Sequence, residues 1–454
     1  MRFEAEVIIS GKYQSEQWLR KPLDLRGSES AGRNGYRLDP ATEYQRIMGF
    51  GGAFTEAAAY TLSRMSEENR RRALRRYFDP DDGLAYNIGR IPVHSCDFSL
   101  GNYTYIEEGD TSLTSFDLSH EEQWLFPTIR DARDIRGDDI RLLASPWSPP
   151  AWMKSNREMN NGGKLLPEYR ELWADYLLRY VREMRELGFD LWGLTVQNEP
   201  AAVQTWDSCI YSGEEERDFV RDFLGPRAQA SGLGDLKILV WDHNRDIIVD
   251  RAKAVLSDPE AAKYVWGVGF HWYVSEEFGN VGEVHRLFPD KHLLFTEGCQ
   301  EGGVHLGSWE TGERYARNMI GDFSNWCEGY LDWNLVLDET GGPNHVGNLC
   351  DAPIIADTAK DRLIFNSSYY YIGQFSRHIS PGALRIGLDS ISDGRETLPA
   401  VAFRNPDGSL VAVVLNETDE PGTIAITLGG ETADLDMEGR SIATIVFRPL
   451  GSGP

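Results

Sequence analysis

The sequence has no apolar run near the ~20 residues a membrane-spanning helix needs. It also has no CxxC pair, no finger-like cysteine spacing, no internal repeat and no low-complexity tract. Its five cysteines, Cys96, Cys209, Cys299, Cys327 and Cys350, are odd in number and widely scattered, which argues against both a disulfide framework and a structural zinc. Positive charge is scarce: 46 Lys and Arg stand against 71 Asp and Glu, a net charge of −25. Polyanions are bound through clustered Lys and Arg that release counterions, so neither nucleic acid nor an anionic membrane surface suits this chain as a partner. The stretch from Met1 to Ser10 lacks the apolar core of about 7–15 residues that marks a secretory signal, and a soluble, cytoplasmic protein without stable membrane insertion is the expectation.

What is present is an ordinary globular balance, 41% hydrophobic and 26% charged over 454 residues, enough for a large core and more than one domain. Short apolar runs alternate with amphipathic segments through the middle of the chain. Eight such runs are read at 47–54, 86–96, 141–146, 191–197, 237–242, 265–273, 292–297 and 329–337. The clearest intervening helix is 167–187, with Tyr169, Trp173, Tyr176, Tyr180, Met184 and Leu187 on one stripe, Pro167 to start it and Gly188 to end it. Eight β-runs alternating with helices predict a closed (β/α)8 barrel, the TIM-barrel architecture. The alternative, an open doubly wound sheet, usually carries a GxGxxG turn after its first strand, and none occurs here. From about Pro381 the texture changes to short β-runs at 383–388, 398–403, 410–416, 423–428 and 442–447, separated by turn residues. The expected organisation is a barrel over 44–378 and an antiparallel β-sandwich built from both termini, 1–43 and 379–454.

Catalytic groups of such barrels sit at the carboxyl ends of the strands. Strand 4 ends in Gln197-Asn198-Glu199-Pro200 and strand 7 in Thr296-Glu297-Gly298-Cys299. Burying a lone carboxylate is costly, so a glutamate there needs a partner or a task, and two of them across one barrel point to catalysis. Paired carboxylates are the tools of glycoside hydrolysis, one protonating the leaving oxygen and the other attacking the anomeric carbon. Sugar rings present flat C–H faces, and aromatic residues gather at the same strand ends: Trp147, Trp206, Trp272, Tyr273 and Trp333. Asp97 and Asn344 add polar groups to that rim. A metal-dependent barrel hydrolase would need a His-x-His pair on strand 1, which is absent, and His243 and His271 lack a third ligand. No metal and no cofactor are therefore expected.

Several motifs, in this order, resemble glycoside hydrolase family 30 and its glucosylceramidase branch. They are Gly49-Phe-Gly-Gly-Ala-Phe54, Arg90-Ile-Pro92, Ser95-Cys-Asp-Phe-Ser99, the run from Leu143 to Trp152, and Gln197-Asn-Glu-Pro200. Further along come Asp258 to Tyr264, His271-Trp-Tyr273, His285 to Pro289, Thr296-Glu-Gly-Cys299, Asp332-Trp-Asn334 and Gly341-Gly-Pro-Asn344. The resemblance spans about residues 44 to 416. It implies a retaining, exo-type β-glycosidase acting on β-glucosides through a covalent glycosyl-enzyme, with a link to sphingolipid metabolism. By position Glu199 matches the acid/base and Glu297 the nucleophile. Asp97, Trp147, Asn198, Trp333 and Asn344 match residues that hold the sugar, Tyr273 an aromatic hydroxyl near the nucleophile, and His271 a neighbouring support. Position 345 is His where the animal enzymes continue with Trp. Relatives acting on β-xylosides, β-fucosides or β-1,6-glucans are the alternatives, and a non-catalytic carbohydrate-binding protein is the alternative of another class. The expected partner is a small-molecule β-glycoside.

Overall fold

In the computed structural model, residues 3–27, 34–391 and 397–450 are described. The remaining positions of the expected terminal segments, 1–2, 28–33, 392–396 and 451–454, lie outside the described residues. The chain divides into two compact units, one of 50–304 and 330–364 and one of 1–49, 305–329 and 365–454.

The first unit is built on eight parallel strands closed into a barrel. They are β1 (Gly49–Ala53), β2 (Ile88–Val93), β3 (Arg141–Pro146), β4 (Leu191–Thr195), β5 (Lys237–Asn244), β6 (Val265–His271), β7 (His292–Glu297) and β8 (Gly329–Asn334). Seven of the eight runs marked by the sequence contain one of them, and the remaining run, 237–242, falls within β5, which continues to Asn244. Parallel strands are covered on both faces, so they read as continuous apolar runs without alternation; every residue of β1, β2 and β8 is buried. Ile88, Leu143, Leu239, Leu294 and Leu331, from five different strands, pack into one cluster.

The expected helix over 167–187 begins as a short 3-10 turn, Pro167–Tyr169, and continues as an α-helix over Arg170–Glu186. Trp173, Tyr176, Tyr180 and Met184 are buried, whereas Leu187 at the end of the stripe is 44% exposed because it lies past the last packed turn.

The second unit carries a ten-stranded, mostly antiparallel sheet. Phe3–Gly11 pairs antiparallel with Ser441–Pro449, from Phe3 opposite Pro449 to Gly11 opposite Ser441. Both chain termini thus build one sheet, and Val7, Ile9, Ala443, Ile445 and Phe447 share its core. Four of its strands, Leu19–Leu23, Arg26–Gly27, Gly35–Arg46 and Glu431–Met437, lie outside the runs that the sequence marks. Gly35–Arg46 contains Pro40 and slips register twice against Leu384–Ile391. Glu431–Met437 carries Glu431, Asp434 and Asp436 between its inward Ala433, Leu435 and Met437.

The glycine-rich segment that opens the barrel has a packing reason. A Cβ on Gly51 would stand 1.8 Å from the carbonyl oxygen of Ile88 on β2, whereas one on Gly52 would meet only the end of the Leu335 side chain at 2.8 Å. Gly51→Ala should therefore push β1 and β2 apart and cost about 1–3 kcal/mol, the range for overpacking a close-packed interior, with Gly52→Ala costing less. Thermal unfolding at one scan rate checks this; equal midpoints for the two variants would contradict it.

Candidate active site

The carboxyl ends of the barrel strands surround a cavity of about 260 Å³ whose walls include Asp97, Trp147, Asn198, Glu199, Tyr273, Glu297, Trp333 and Asn348. A larger trough of about 930 Å³ lies in the other unit, lined by groups such as Asp24, Arg26, Thr423 and Asp436. It offers neither an aromatic face nor a buried carboxylate pair, so the smaller cavity is where the chemistry belongs.

Glu199 follows β4 in a turn, with φ 47°, a left-handed backbone that costs a non-glycine residue energy. The turn is held from both sides. The Glu199 N–H donates to the carbonyl of Asp242 at 3.0 Å, and the Asn198 N–H donates to the carbonyl of Pro146 at 2.8 Å. Glu297 ends β7. The Tyr273 hydroxyl donates to its Oε1 at 2.8 Å, and the Arg90 guanidinium binds its Oε2. One oxygen of Glu199 and one of Glu297 lie within 4.8 Å of each other.

Beneath both glutamates is a fully buried ion pair. Arg90, in the middle of β2, donates Nη2 to Asp242 Oδ2 at 2.8 Å and to Asn198 Oδ1 at 2.9 Å, and Nε to Ser145 Oγ at 3.1 Å. Asp242, on β5, also accepts from Thr195 at 2.7 Å and Thr296 at 2.6 Å, and lies 3.0 Å from Nε2 of His271. Burial works to lower the Arg90 pKa, but the charges of Asp242 and Glu297 outweigh it and hold it raised. Burial likewise opposes ionisation of Asp242, yet Arg90 and the hydrogen bonds hold its carboxyl far below the usual range.

The walls follow from this base. Arg90 stacks its guanidinium 4.8 Å from the Trp147 ring and 5.4 Å from Trp333. The two indoles lie nearly parallel, 5.2 Å apart. Asn198 Oδ1 accepts from Arg90, which leaves its NH2 as the donor of that side chain. Asp97, opposite, accepts from Asn344 at 3.1 Å and Asn348 at 3.0 Å on the same oxygen. Burial, with some help from the charge of Glu297, pushes its pKa up to about 7 against the pull of the two amides.

The structure thus brings Glu199, Glu297, Asp97, Trp147, Asn198, Tyr273 and Trp333 to one cavity. Asn344 stands behind Asp97, and the cavity wall is made by Asn348, four residues on. His271 is fully buried below the cavity, between the carboxylates. Sequence reasoning did not find Asn348 or Asp242, and it quoted Arg90 only within a motif. The available signal was a charged residue in each of two apolar strands. An unpaired buried charge is too costly to keep, so an Arg and an Asp so placed imply each other. Among the described residues, only Glu199, His271 and Glu297 bring His and carboxylate atoms close enough for a metal ion. Their donor atoms are already committed, Glu297 to Arg90 and Tyr273 and His271 to the carboxylates on either side, so the set does not fit a cation.

Comparison with known proteins agrees with this geometry. The profile of the glycosyl hydrolase family 30 TIM-barrel domain matches residues 47–379, and that of the family 30 beta sandwich domain matches residues 382–445. The lysosomal acid glucosylceramidase of Mus musculus is 36% identical over 438 residues, 92% of this chain and 84% of its own. The crystal structure of SrfJ from Salmonella typhimurium superimposes with a TM-score of 0.94 at 38% identity, covering 98% of this chain and all of that one. The endo-beta1,6-glucanase BT3312 superimposes with a TM-score of 0.87 at 28% identity, covering 98% of each. With its barrel and its sandwich both matched, the chain belongs to glycosyl hydrolase family 30, on the glucosylceramidase-like branch.

Proposed function

We propose that the protein is a retaining, exo-type β-glycosidase that removes a β-linked glucose from a small glycoside, with Glu297 as nucleophile and Glu199 as acid/base. The observation that carries the reading is the approach of the two carboxylates to within 4.8 Å. Retaining pairs stand about 5–5.5 Å apart, whereas inverting pairs leave about 6.5–9.5 Å for a water. Glu297, bound by Arg90 and Tyr273, is oriented as an anion at the cavity wall and attacks the anomeric carbon. Glu199 protonates the departing oxygen and then takes a proton from the water that releases the sugar. The Asn198 NH2 and the Asp97 carboxyl bind ring hydroxyls, and the Trp147–Trp333 wall takes the ring's apolar face.

The cavity's 260 Å³ is below the about 300–1,000 Å³ of sites for larger ligands, which favours one sugar residue over a run of them. The preference for glucose and for an apolar aglycone is supported by the mouse glucosylceramidase at 36% identity and by the rim. Val274 on the cavity wall and Val203 beside Gln204 are each 62% exposed, apolar side chains kept in water at the point where the aglycone would leave. A second reading, cleavage of β-1,6-glucan, is favoured by the likeness to BT3312. A panel of aryl β-glucoside, β-xyloside and β-fucoside, run beside glucosylceramide in detergent and a soluble β-1,6-glucan, decides between them. Turnover of the polymer alone would overturn the exo reading.

The two glutamates separate by their responses. Glu297→Gln should form no glycosyl-enzyme and leave almost no turnover. Glu199→Ala should lose about 10²–10⁴-fold on glycosides with poor leaving groups, and much less in the first step with a dinitrophenyl glycoside, on which the covalent intermediate should accumulate. Azide should restore turnover of Glu199→Ala and yield the β-glycosyl azide, retention arising from two inversions. An α-azide from that variant would mean displacement without the Glu297 intermediate. Activity should also survive exhaustive chelation, since the carboxylate pair needs no Lewis acid; loss with EDTA and recovery with zinc or manganese would refute this.

A further inference from the structure

His271 has a carboxylate oxygen at each ring nitrogen. Nε2 is 3.0 Å from Asp242 Oδ1, and Nδ1 is 3.3 Å from Glu199 Oε1 and 4.0 Å from Glu297 Oε1. A neutral imidazole has one N–H and one lone pair, so it cannot donate on both sides. With Asp242 held as an anion by Arg90, the arrangement is satisfied in two ways: by an imidazolium between two carboxylates, or by a neutral ring that accepts from a protonated Glu199. The two states differ by one proton moved along the Nδ1–Oε1 line.

We propose that His271 stores the proton of the acid/base glutamate in the free enzyme and passes it to Glu199 when the substrate enters, acting as a positioning residue and proton store and not as a sugar contact. The inference rests on the assignment of Glu199 and Glu297 made above. In the transfer the N–H bond at Nδ1 breaks and an O–H bond forms on Glu199 Oε1, while Nε2–H stays donated to Asp242. Glu199 then gives that proton to the leaving oxygen. In the second step it takes one from the attacking water and returns it to Nδ1, so the cycle closes without any other donor. The trigger is desolvation. A sugar filling the cavity removes the water that favours a charged imidazolium–carboxylate pair, and a neutral pair is the cheaper state in a dry cleft.

The groups facing His271 from every neighbouring strand are compatible with this role. On β5, Asp242 is locked as an anion by Arg90 of β2. Also on β5, His243, its ring 6.3 Å away and its Nε2 3.7 Å from Glu199 Oε1, has its pKa lowered chiefly by burial. Past the end of β6, the Tyr273 ring at 6.0 Å directs its hydroxyl to Glu297. Beyond β4 and at the end of β7 stand Glu199 and Glu297 themselves. Burial works against charge on His271, but the Glu297 charge and the bonds to Asp242 and Glu199 raise its pKa to about 9. The same contact holds Glu199 below its usual value against burial. With its proton stored on the imidazole, the empty site has Glu199 ionised.

The test is the pH profile of kcat/KM for the wild-type chain and His271→Gln, measured on two aryl β-glucosides, one with a poor leaving group and one with dinitrophenolate. In the wild type the essential proton is lost only when the His271–Glu199 pair is deprotonated. Without the imidazole the proton must sit on a lone carboxyl, so the basic limb for the poor leaving group should fall by about two pH units. The dinitrophenyl glucoside, whose first step needs no acid, should keep its basic limb. A uniform loss on both substrates with both limbs unmoved, or the same shift on both, overturns the proposal. Should the variant not fold, ¹⁵N-histidine NMR of the wild-type enzyme gives the answer directly. An imidazolium at position 271 at pH 7 in the free enzyme, neutral once a tight-binding sugar fills the cavity, is expected, and a neutral ring in the free enzyme overturns the idea. Labelling of Glu297 by a 2-deoxy-2-fluoroglucosyl fluoride in the wild type tests the underlying assignment separately.

Discussion

The buried contact between Arg90 and Asp242 is the constraint on which the rest of the site depends. Both side chains are fully buried, so each makes the other's charge tolerable. Removing one partner of such a pair typically costs about 3–5 kcal/mol because the survivor is left uncompensated. Glu199, Glu297, Asn198 and His271 are each attached to one of the two, whereas Asp97 is held by Asn344 and Asn348. Arg90 orients Glu297 and Asn198 and lies against Trp147 and Trp333. Asp242 anchors His271 with its side chain and the strained turn of Glu199 with its carbonyl. Both carboxylates of the cleft are therefore positioned from a single point, one through β2 and the other through β5.

This base was the part least legible in the sequence. The barrel was readable because buried parallel strands leave continuous apolar runs punctuated by helices, and the two glutamates were readable because they end such runs. A single arginine within Ile88–Val93 has no periodicity to mark it, and Asp242 ends its own run as any solvent-facing residue might. Only closure of the barrel, which brings β2 and β5 across from each other, turns them into a pair. Asn348 was hidden for a different reason. It lies in a long loop where neither period 2 nor period 3.6 operates, and the choice between it and Asn344 depends on how that loop folds back, with the His345 N–H on the Asp97 carbonyl and the Cys350 N–H on the Gly341 carbonyl. In the sandwich, Glu431–Met437 is hard to read because its outward face is acidic, and Gly35–Arg46 because it contains a proline and shifts register against its neighbour.

The electrostatics of the cleft depend on burial acting in opposite directions on similar groups. Asp97 and Asp242 are both buried aspartates within one site. Asp97 is buried among amides and other carboxylates, with no cation among the described residues against it, and rises to about 7; Asp242 has a guanidinium and an imidazole and stays ionised. The difference is a matter of which strand end each occupies, since chain position decides whether a cation lies within reach. Two carboxyl groups of the same chemical type thereby differ, one pushed up on the cavity wall and the other held as a counter-ion beneath it.

The exposed valines of the rim, Val203 after β4 and Val274 after β6, belong to loops, whereas Arg90 and Asp242 belong to strands. Loops at the open end of a barrel can lengthen, shorten or change residues without disturbing the hydrogen bonds that close it. On the proposed function, the part of the molecule that would meet the group released from the sugar is thus mechanically independent of the part that would break the bond. Selection acting on the first need not reopen the second, and an architecture divided in this way can change its rim while the base of the cleft stays inherited unchanged.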